Sequence, residues 1–153
     1  MSDSTQPELP AIGFVQELDP AEREDLSSHG EFLSCNEGDV IIEELQKQDS
    51  LFLVIMGNFH VQTETTGKVV LLGQLKAGDA IGEINMFDPG QASASVIAKS
   101  FSQVWKIDRA SLERFLETHP VAAARLLVTI STQLSKRLRH MNEKVALAMI
   151  GNY

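Results

Sequence analysis

Short apolar stretches separated by glycine-containing turns dominate the middle of the chain, between Glu31 and Asp108. They recur at intervals of about eight to twelve residues, which is typical of a β-sandwich or barrel. In the stretch Phe59–Thr65, apolar and polar side chains alternate, which predicts one buried and one solvent-facing side. Gly57-Asn58 and Thr66-Gly67 lie where tight hairpins require positive φ angles. The predicted strands are Asp39–Glu44, Leu51–Met56, Phe59–Thr65, Lys68–Leu75, Ser93–Lys99 and Ser102–Ile107.

A short helix is predicted before the strands. Asp19 can accept hydrogen bonds from the first turn, Pro20 suits the first helical position, and Glu22 nearly completes a capping box. This helix should run to about Ser28 and stop at Gly30.

Two further helices are predicted after the strands. Asp108 is a candidate N-cap of a helix that ends near Thr118 and places Leu112, Phe115 and Leu116 on one face. Pro120 begins the last helix, which extends to about Met149. At about 1.5 Å per residue, that helix is roughly 45 Å long.

The last helix carries a second apolar pattern, with positions separated alternately by four and three residues. Heptad spacing sustained for about three repeats is typical of a coiled coil. Either this seam packs on the protein's own barrel or, because the helix outruns so small a domain, it pairs with a second copy. We favour a parallel homodimer. The seam consists of Leu127, Ser131, Leu134, Leu138, Met141, Val145 and Ala148.

The composition fits a single globular domain: 153 residues, of which 43% are hydrophobic and 22% charged. The single cysteine, Cys35, excludes an internal disulfide and favours a buried thiol in a reducing compartment.

No apolar run approaches the ~20 residues of a membrane span, so no membrane contact is expected. Residues 1–13 lack the features of a signal peptide and are predicted to be a disordered lead. We therefore expect a cytoplasmic protein.

The net charge of −8 is unevenly distributed. Residues 1–98 hold 17 acidic and 4 basic side chains, whereas residues 99–153 hold 4 acidic and 9 basic ones. An acidic body argues against non-specific nucleic-acid binding. We expect no nucleic-acid contact by this chain alone.

The residue types that would support catalysis are scattered. The four histidines, His29, His60, His119 and His140, show no metal-ligand spacing, and each is expected at the surface. No nucleophile is paired with a base in a recognisable motif. The sequence therefore predicts no enzyme, no catalytic residue, no metal site and no cofactor.

The most unusual stretch runs from Gly78 to Val96. A strand does not naturally contain Gly82-Glu83, and small residues let the backbone approach a ligand closely. A short helical turn at 83–87 would offer N–H groups to an anion, and Glu83 can accept from hydroxyls. The run Ala92–Ser95 leaves space because it has no bulky side chain.

Four ordered segments make the chain resemble the cyclic nucleotide-binding domain family over residues 14–145, especially the bacterial catabolite-activator and oxygen-response regulators. The resemblance implies a jelly-roll barrel, also called a double-stranded β-helix, with a short N-terminal and a long C-terminal helix. It divides the chain into the barrel with its flanking helices, 14–118, and a dimerisation helix, 119–150. The matching segments are 37–41, 49–57, 77–84 and 105–109.

The same resemblance implies how a phosphate-binding cassette works. The family's Glu after Gly holds the ribose 2′-hydroxyl, and an Arg about nine residues later neutralises the cyclic phosphate. Gly82 and Glu83 match, but Ala92 occupies the Arg position, and no base occurs between Lys76 and Lys99. A cyclic phosphate that lacks this charge-assisted partner loses on the order of 2–5 kcal/mol of binding free energy. The candidate ligand-binding residues are Gly82, Glu83, Ile84, Ala92, Ser93, Ala94, Ser95 and, from the last helix, Asn142.

These residues predict an acidic pocket without a cation, suited to a neutral or cationic ligand or to none. We therefore expect a non-catalytic regulatory or sensor module that binds cyclic nucleotides weakly or not at all, and whose partner is a small molecule or a protein. The alternative is a functional receptor for cAMP or cGMP, which reaches the phosphate through backbone N–H groups, Ser93, Ser95 or a base from another subunit.

A helix-turn-helix DNA-binding domain follows the long helix in regulators of this kind. The chain ends at Tyr153, where that domain would begin. The sequence is therefore read either as a free-standing sensor or as the ligand-binding part of a Crp/Fnr-like transcriptional regulator.

Overall fold

A computed structural model of the chain describes residues 8–83, 86, 88 and 90–151. Its helical elements confirm the predicted ones: α1 (Pro20–Ser27), α2 (Arg109–Thr118) and α3 (Pro120–Ile150), preceded by a 3-10 turn at Gly13–Val15. The strands are β1 (Glu31–Cys35), β2 (Val40–Ile42), β3 (Lys47–Gln48), β4 (Ser50–Met56), β5 (Phe59–Thr65), β6 (Lys68–Leu75), β7 (Ala80–Ile81), β8 (Gly90–Gln91), β9 (Ser95–Ala98) and β10 (Ser102–Asp108).

The strands form two antiparallel four-stranded sheets and a short ribbon. The sheet orders are β1-β10-β4-β7 and β2-β9-β5-β6, and β3 pairs with β8. This mainly β architecture with flanking helices confirms the predicted jelly-roll barrel. Four strands were not predicted: β1, β3, β7 and β8. Three of them have only two residues, which is too short for an alternating pattern to register.

Strand β4 shows how the barrel is filled, because its side chains alternate between two cores. Leu51 and Leu53 join the cluster under the helices, which also contains the buried Trp105. Phe52 and Val54 join the cluster between the two sheets. The strand is therefore apolar on both faces, and it carries the run that the sequence showed as Leu51–Met56.

Helix caps form as the sequence predicted. The Asp19 carboxylate accepts a hydrogen bond from the Glu22 backbone at 2.8 Å, and the Glu22 side chain accepts one from the Asp19 backbone at 3.0 Å. The Asp108 carboxylate accepts from the Ser111 backbone at 2.7 Å. These hydrogen bonds fix where α1 and α2 begin.

The segment 8–13 is ordered, so the expected disordered lead is wrong for those residues. Leu9 is buried, its N–H donates to Ser27 Oγ at 3.0 Å, and Arg23 Nε donates to its carbonyl at 3.2 Å. Pairing of this segment with α1 ties the start of the described chain to the helical side of the barrel. Residues 1–7 lie outside the described residues.

The hairpin of β5 and β6 departs from the predicted alternation. Only Phe59 of β5 is fully buried, while His60 and Gln62 are half-buried like Val61. Strand β6 is the edge of its sheet, and four consecutive apolar residues along it, Val69 to Leu72, are exposed. The hairpin therefore extends beyond the core that fills the barrel.

Helix α3 has two different halves. Its first half buries Ala122, Ala123, Leu126 and Ile130 against the barrel. From Ser135 onward every described residue of the helix is exposed. No helix in the described part of the chain is long and apolar enough to cross a membrane.

Candidate functional site

A cavity of about 130 Å³ lies where β7, the segment after β8, the base of the β5–β6 hairpin and α3 meet. Most of its walls are aliphatic, and its polar side chains are Glu83, Ser93 and Arg137. The cavity, called the cassette pocket below, lies at the stretch from Gly78 to Val96 that the sequence singled out. Its lining consists of Ile42, Val61, Leu75, Ala80, Ile81, Gly82, Glu83, Ala92, Ser93, Ala94, Val96 and Arg137.

Gly82 lets the chain turn sharply at the floor of this cavity. Its φ is +83°, a backbone conformation that side chains rarely allow, and a Cβ atom there would lie 2.4 Å from the Ser50 carbonyl. Gln48 Nε2 would be 2.6 Å from the same atom. Glycine is therefore required to bring the following residue, Glu83, into the cavity.

Glu83 is buried and forms an ion pair with Arg137 of α3. Nη1 of Arg137 donates to Oε1 of Glu83, and Nη2 donates to the Ala80 carbonyl at 3.4 Å. The Glu83 side chain is only 5% exposed, whereas that of Arg137 is 41% exposed. The expectation of a pocket without a cation is therefore wrong, because the cation comes from the helix.

Helical spacing contained the signal for Arg137. Residues 126, 130 and 137 are separated by four and seven positions, so they lie on one face of α3. Leu126 and Ile130 on that face pack into the barrel core, and Arg137 continues the line to the cavity. An arginine on the barrel-facing side of a helix is a candidate partner for a buried carboxylate.

The other predicted residues divide into two groups. Ala92, Ser93 and Ala94 line the cavity as expected, with Ala92 buried and Ser93 exposed. Ser95 does not line it, because it lies in β9 and its hydroxyl accepts a hydrogen bond from the Glu44 backbone at 2.9 Å. Asn142 is exposed in the second half of α3 and is also not among the lining residues. Ile84 lies outside the described residues.

Two of the histidines expected to be scattered lie together instead. His29 and His119 have ring centroids 6.5 Å apart, and His119 stacks on Phe115 at 4.8 Å. Nε2 of His119 lies 3.1 Å from a carboxylate oxygen of Asp25. Even so, the described residues contain no group of three or more His, Cys, Asp or Glu side chains placed to hold a metal. This cluster therefore joins α1 to the start of α3.

Cys35 is a buried free thiol, as the sequence suggested. Burial, together with the nearby Asp39 carboxylate, raises the pKa of the thiol above its ordinary value. Since the thiolate is the reactive form, this residue is a packing group rather than a nucleophile.

Comparison with known proteins identifies the same family as the cassette motif and the barrel do. The model of the cyclic nucleotide-binding domain family matches residues 32–119. The chain is 31% identical over 107 residues to the cAMP-activated global transcriptional regulator CRP of Salmonella typhimurium, an alignment that covers 69% of this chain and 49% of the regulator. The chain thus spans about half the length of that relative.

Two solved structures share the fold. A cyclic nucleotide-binding domain from Methylobacillus flagellatus superposes with a TM-score of 0.79 at 22% identity, covering 84% of this chain and 72% of that one. The catabolite activator protein of Thermus thermophilus gives 0.76 at 21% identity, covering 88% and 62%. With a family model that spans more than half of its length, the chain belongs to the cyclic nucleotide-binding domain family.

Proposed function

We propose that the chain is a non-catalytic regulatory module that senses a ligand in the cassette pocket and that binds cyclic nucleotides weakly or not at all. One observation carries the proposal: the guanidinium that lines the pocket, Arg137, is already paired with Glu83. Ala92 stands where the family resemblance places the arginine that neutralises a cyclic phosphate. The pocket therefore has no uncommitted positive side chain among its described lining residues.

Charge balance explains why this arrangement disfavours a phosphodiester. Glu83 and Arg137 are the charged members of the described lining, and together they carry no net charge. A cyclic phosphate would add a second negative charge beside the buried Glu83 carboxylate, with the single positive charge of Arg137 to balance both. A charge left unpaired in a desolvated site costs about 2–5 kcal/mol, or roughly 30-fold to several thousand-fold in affinity.

Isothermal titration of the whole chain with cAMP and cGMP tests this proposal. We expect no binding at micromolar ligand for the native chain. Ala92→Arg should gain affinity for both nucleotides, and Arg139→Gln, which changes an exposed base outside the pocket, should not. Micromolar binding by the native chain would overturn the proposal.

The second candidate function is a cyclic-nucleotide receptor, as the name of the Salmonella relative suggests. Arg137 favours this alternative, because it brings a guanidinium to the pocket from α3. In that case the ligand phosphate would displace Glu83 from the arginine, and Arg137→Gln would abolish the nucleotide affinity that the native chain shows.

A homodimer through α3 forms part of the proposed function. Leu138, Met141 and Val145 of the heptad seam are more than half exposed in the single chain. A row of aliphatic side chains at heptad spacing is stable in water when a second helix covers it. The expected partner is a second copy, because each copy presents the same seam.

A further inference from the structure

The cassette pocket combines a small volume with a preformed pair of opposite charges. We infer that its ligand is a compact zwitterion with an apolar body, the chemical class represented by the branched-chain α-amino acids. The inference rests on the proposed function and names the ligand class of the same site. It is carried by the Glu83–Arg137 pair and by the walls that surround it.

The size of the cavity sets the first limit. Sites for drug-sized ligands enclose about 300–1,000 Å³. The cavity here is about 130 Å³, so it suits a molecule much smaller than a nucleotide. The small side chains of Ala80, Ala92 and Ala94 leave this space open.

The charges of the site set the second limit. A zwitterion keeps the whole site neutral when it binds, whereas an anion or a cation leaves one charge uncompensated. The ammonium and carboxylate of an α-amino acid are attached to one carbon, and Glu83 and Arg137 likewise lie in contact. The ligand ammonium would then donate to Glu83, and its carboxylate would accept from Arg137.

Both protein groups have capacity for such a ligand. A guanidinium offers five N–H donors, and a carboxylate accepts at about four positions. The pair uses Nη1 with Oε1, and Nη2 reaches the Ala80 carbonyl at the long distance of 3.4 Å. The ligand can therefore bind beside the ion pair and does not have to replace it.

The walls determine which ligand body the pocket accepts beyond the charged end. Ile42, Val61, Leu75, Ile81 and Val96 surround the cavity with branched aliphatic surface. Burial of ligand methylene groups against such a surface removes apolar area from water and so favours binding. An aliphatic body is therefore preferred over a polar one, and a branched body complements the walls in shape.

Three probes that share the 3-methylbutyl chain separate the contribution of charge from that of shape. L-Leucine is the zwitterion, 4-methylpentanoate lacks its ammonium, and 3-methylbutylamine lacks its carboxylate. Titration calorimetry of the whole chain should give at least about tenfold tighter binding for leucine than for either relative, since each loses one charge-assisted hydrogen bond. Equal or tighter binding of 4-methylpentanoate, or no binding of leucine, would overturn the inference.

Two variants test whether the ligand binds in this pocket. Glu83→Gln is nearly isosteric and should weaken leucine binding about tenfold, and Arg137→Gln should do the same. Arg139 lies two residues from Arg137 on α3 and does not line the pocket. The Arg139→Gln variant should therefore bind leucine with the affinity of the native chain. Unchanged affinity in folded Glu83→Gln protein, verified by circular dichroism, would mean that leucine binds elsewhere and would refute the assignment.

The same titration with cAMP keeps the two proposals apart. If neither leucine nor cAMP binds, the zwitterion class is wrong and the expectation of weak nucleotide binding stands. If cAMP binds at micromolar concentration, the proposed function fails whatever leucine does.

Discussion

The two halves of α3 have similar aliphatic content and opposite surroundings. In the first half, Leu126 and Ile130 are almost completely buried against the barrel. In the second half, Leu138 and Val145 are more than half exposed. The contrast teaches that an apolar stripe on a helix reports a contact without saying which molecule provides it.

Arg137 lies at the boundary between these halves. It is the residue by which α3 contributes to the described lining of the pocket, and the seam residue Leu138 follows it directly. Pocket and exposed seam are therefore one residue apart along the helix. A ligand that changes the position of Arg137 acts on the point where α3 leaves the barrel.

The largest expected effect is the difference in unfolding free energy between replacing a leucine in the first half of α3 and replacing one in the second half. Leu126→Ala should lower the free energy of unfolding by about 2–5 kcal/mol, because it leaves a cavity in the core. Leu138→Ala should change it by no more than about 0.5 kcal/mol in the single chain, since that side chain is 61% exposed. Urea denaturation at a protein concentration where the chain is monomeric measures both. Similar losses in the two variants would show that the second half is also packed.

The next effect concerns the proposed dimer. Leu138→Glu places a charge in the seam and should weaken association by about 3 kcal/mol, or more than a hundredfold in Kd, because the leucines of both copies lose their burial. Sedimentation velocity over a dilution series measures this. Arg139→Glu is the control at a position off the seam. A chain that is monomeric before any substitution contradicts the proposal.

Removing one or the other partner of the Glu83–Arg137 ion pair should lower the stability of the protein by different amounts. Arg137→Gln should cost about 1–3 kcal/mol of stability, because it leaves the buried Glu83 carboxylate without its charged partner. Glu83→Gln should cost less, because the half-exposed guanidinium of Arg137 regains water. Thermal unfolding of both variants compares them directly. The reverse order would mean that Arg137 contributes packing rather than charge neutralisation.

The smallest expected effect concerns the Asp108 cap of α2, the helix that leads into the first half of α3. The backbone hydrogen bond from Ser111, the largest cause, and that residue's hydroxyl hold the pKa of Asp108 below its ordinary value of 3.8. A lowered pKa in the folded state means that the cap stabilises the protein fully above pH 3.8 and progressively less as the pH falls through the folded value.

Asp108→Ala should therefore lose about 1 kcal/mol at neutral pH. The difference between variant and native chain should shrink as the pH falls below 3.8, because the Asp108 carboxyl of the unfolded chain then binds a proton that the capped carboxylate, with its lowered pKa, does not. Urea denaturation from pH 7 to pH 3 follows this trend. A difference that stays constant with pH would assign the loss to packing.

Local signals in the sequence determined most of the fold. The caps at Asp19 and Asp108 act over three residues, and strands as long as Phe59–Thr65 repeat their pattern enough to be recognised. Ala92 to Ala94 were predicted at the pocket because the cassette motif is itself continuous. The partner of Glu83 was missed because Arg137 is 54 positions away along the chain. Only the packing of α3 on the barrel brings those two side chains together.

The edge position of β6 has a consequence for the behaviour of the chain in solution. Val69 to Leu72 offer apolar side chains beside a row of backbone groups that no neighbouring strand of the described sheet covers. Such an edge is a template for strand addition, and charged residues at its ends act as gatekeepers. Lys68 and Lys76 flank the stretch. These two positive charges therefore oppose the addition of a further strand at this edge, a task that the packed core of the barrel does not perform.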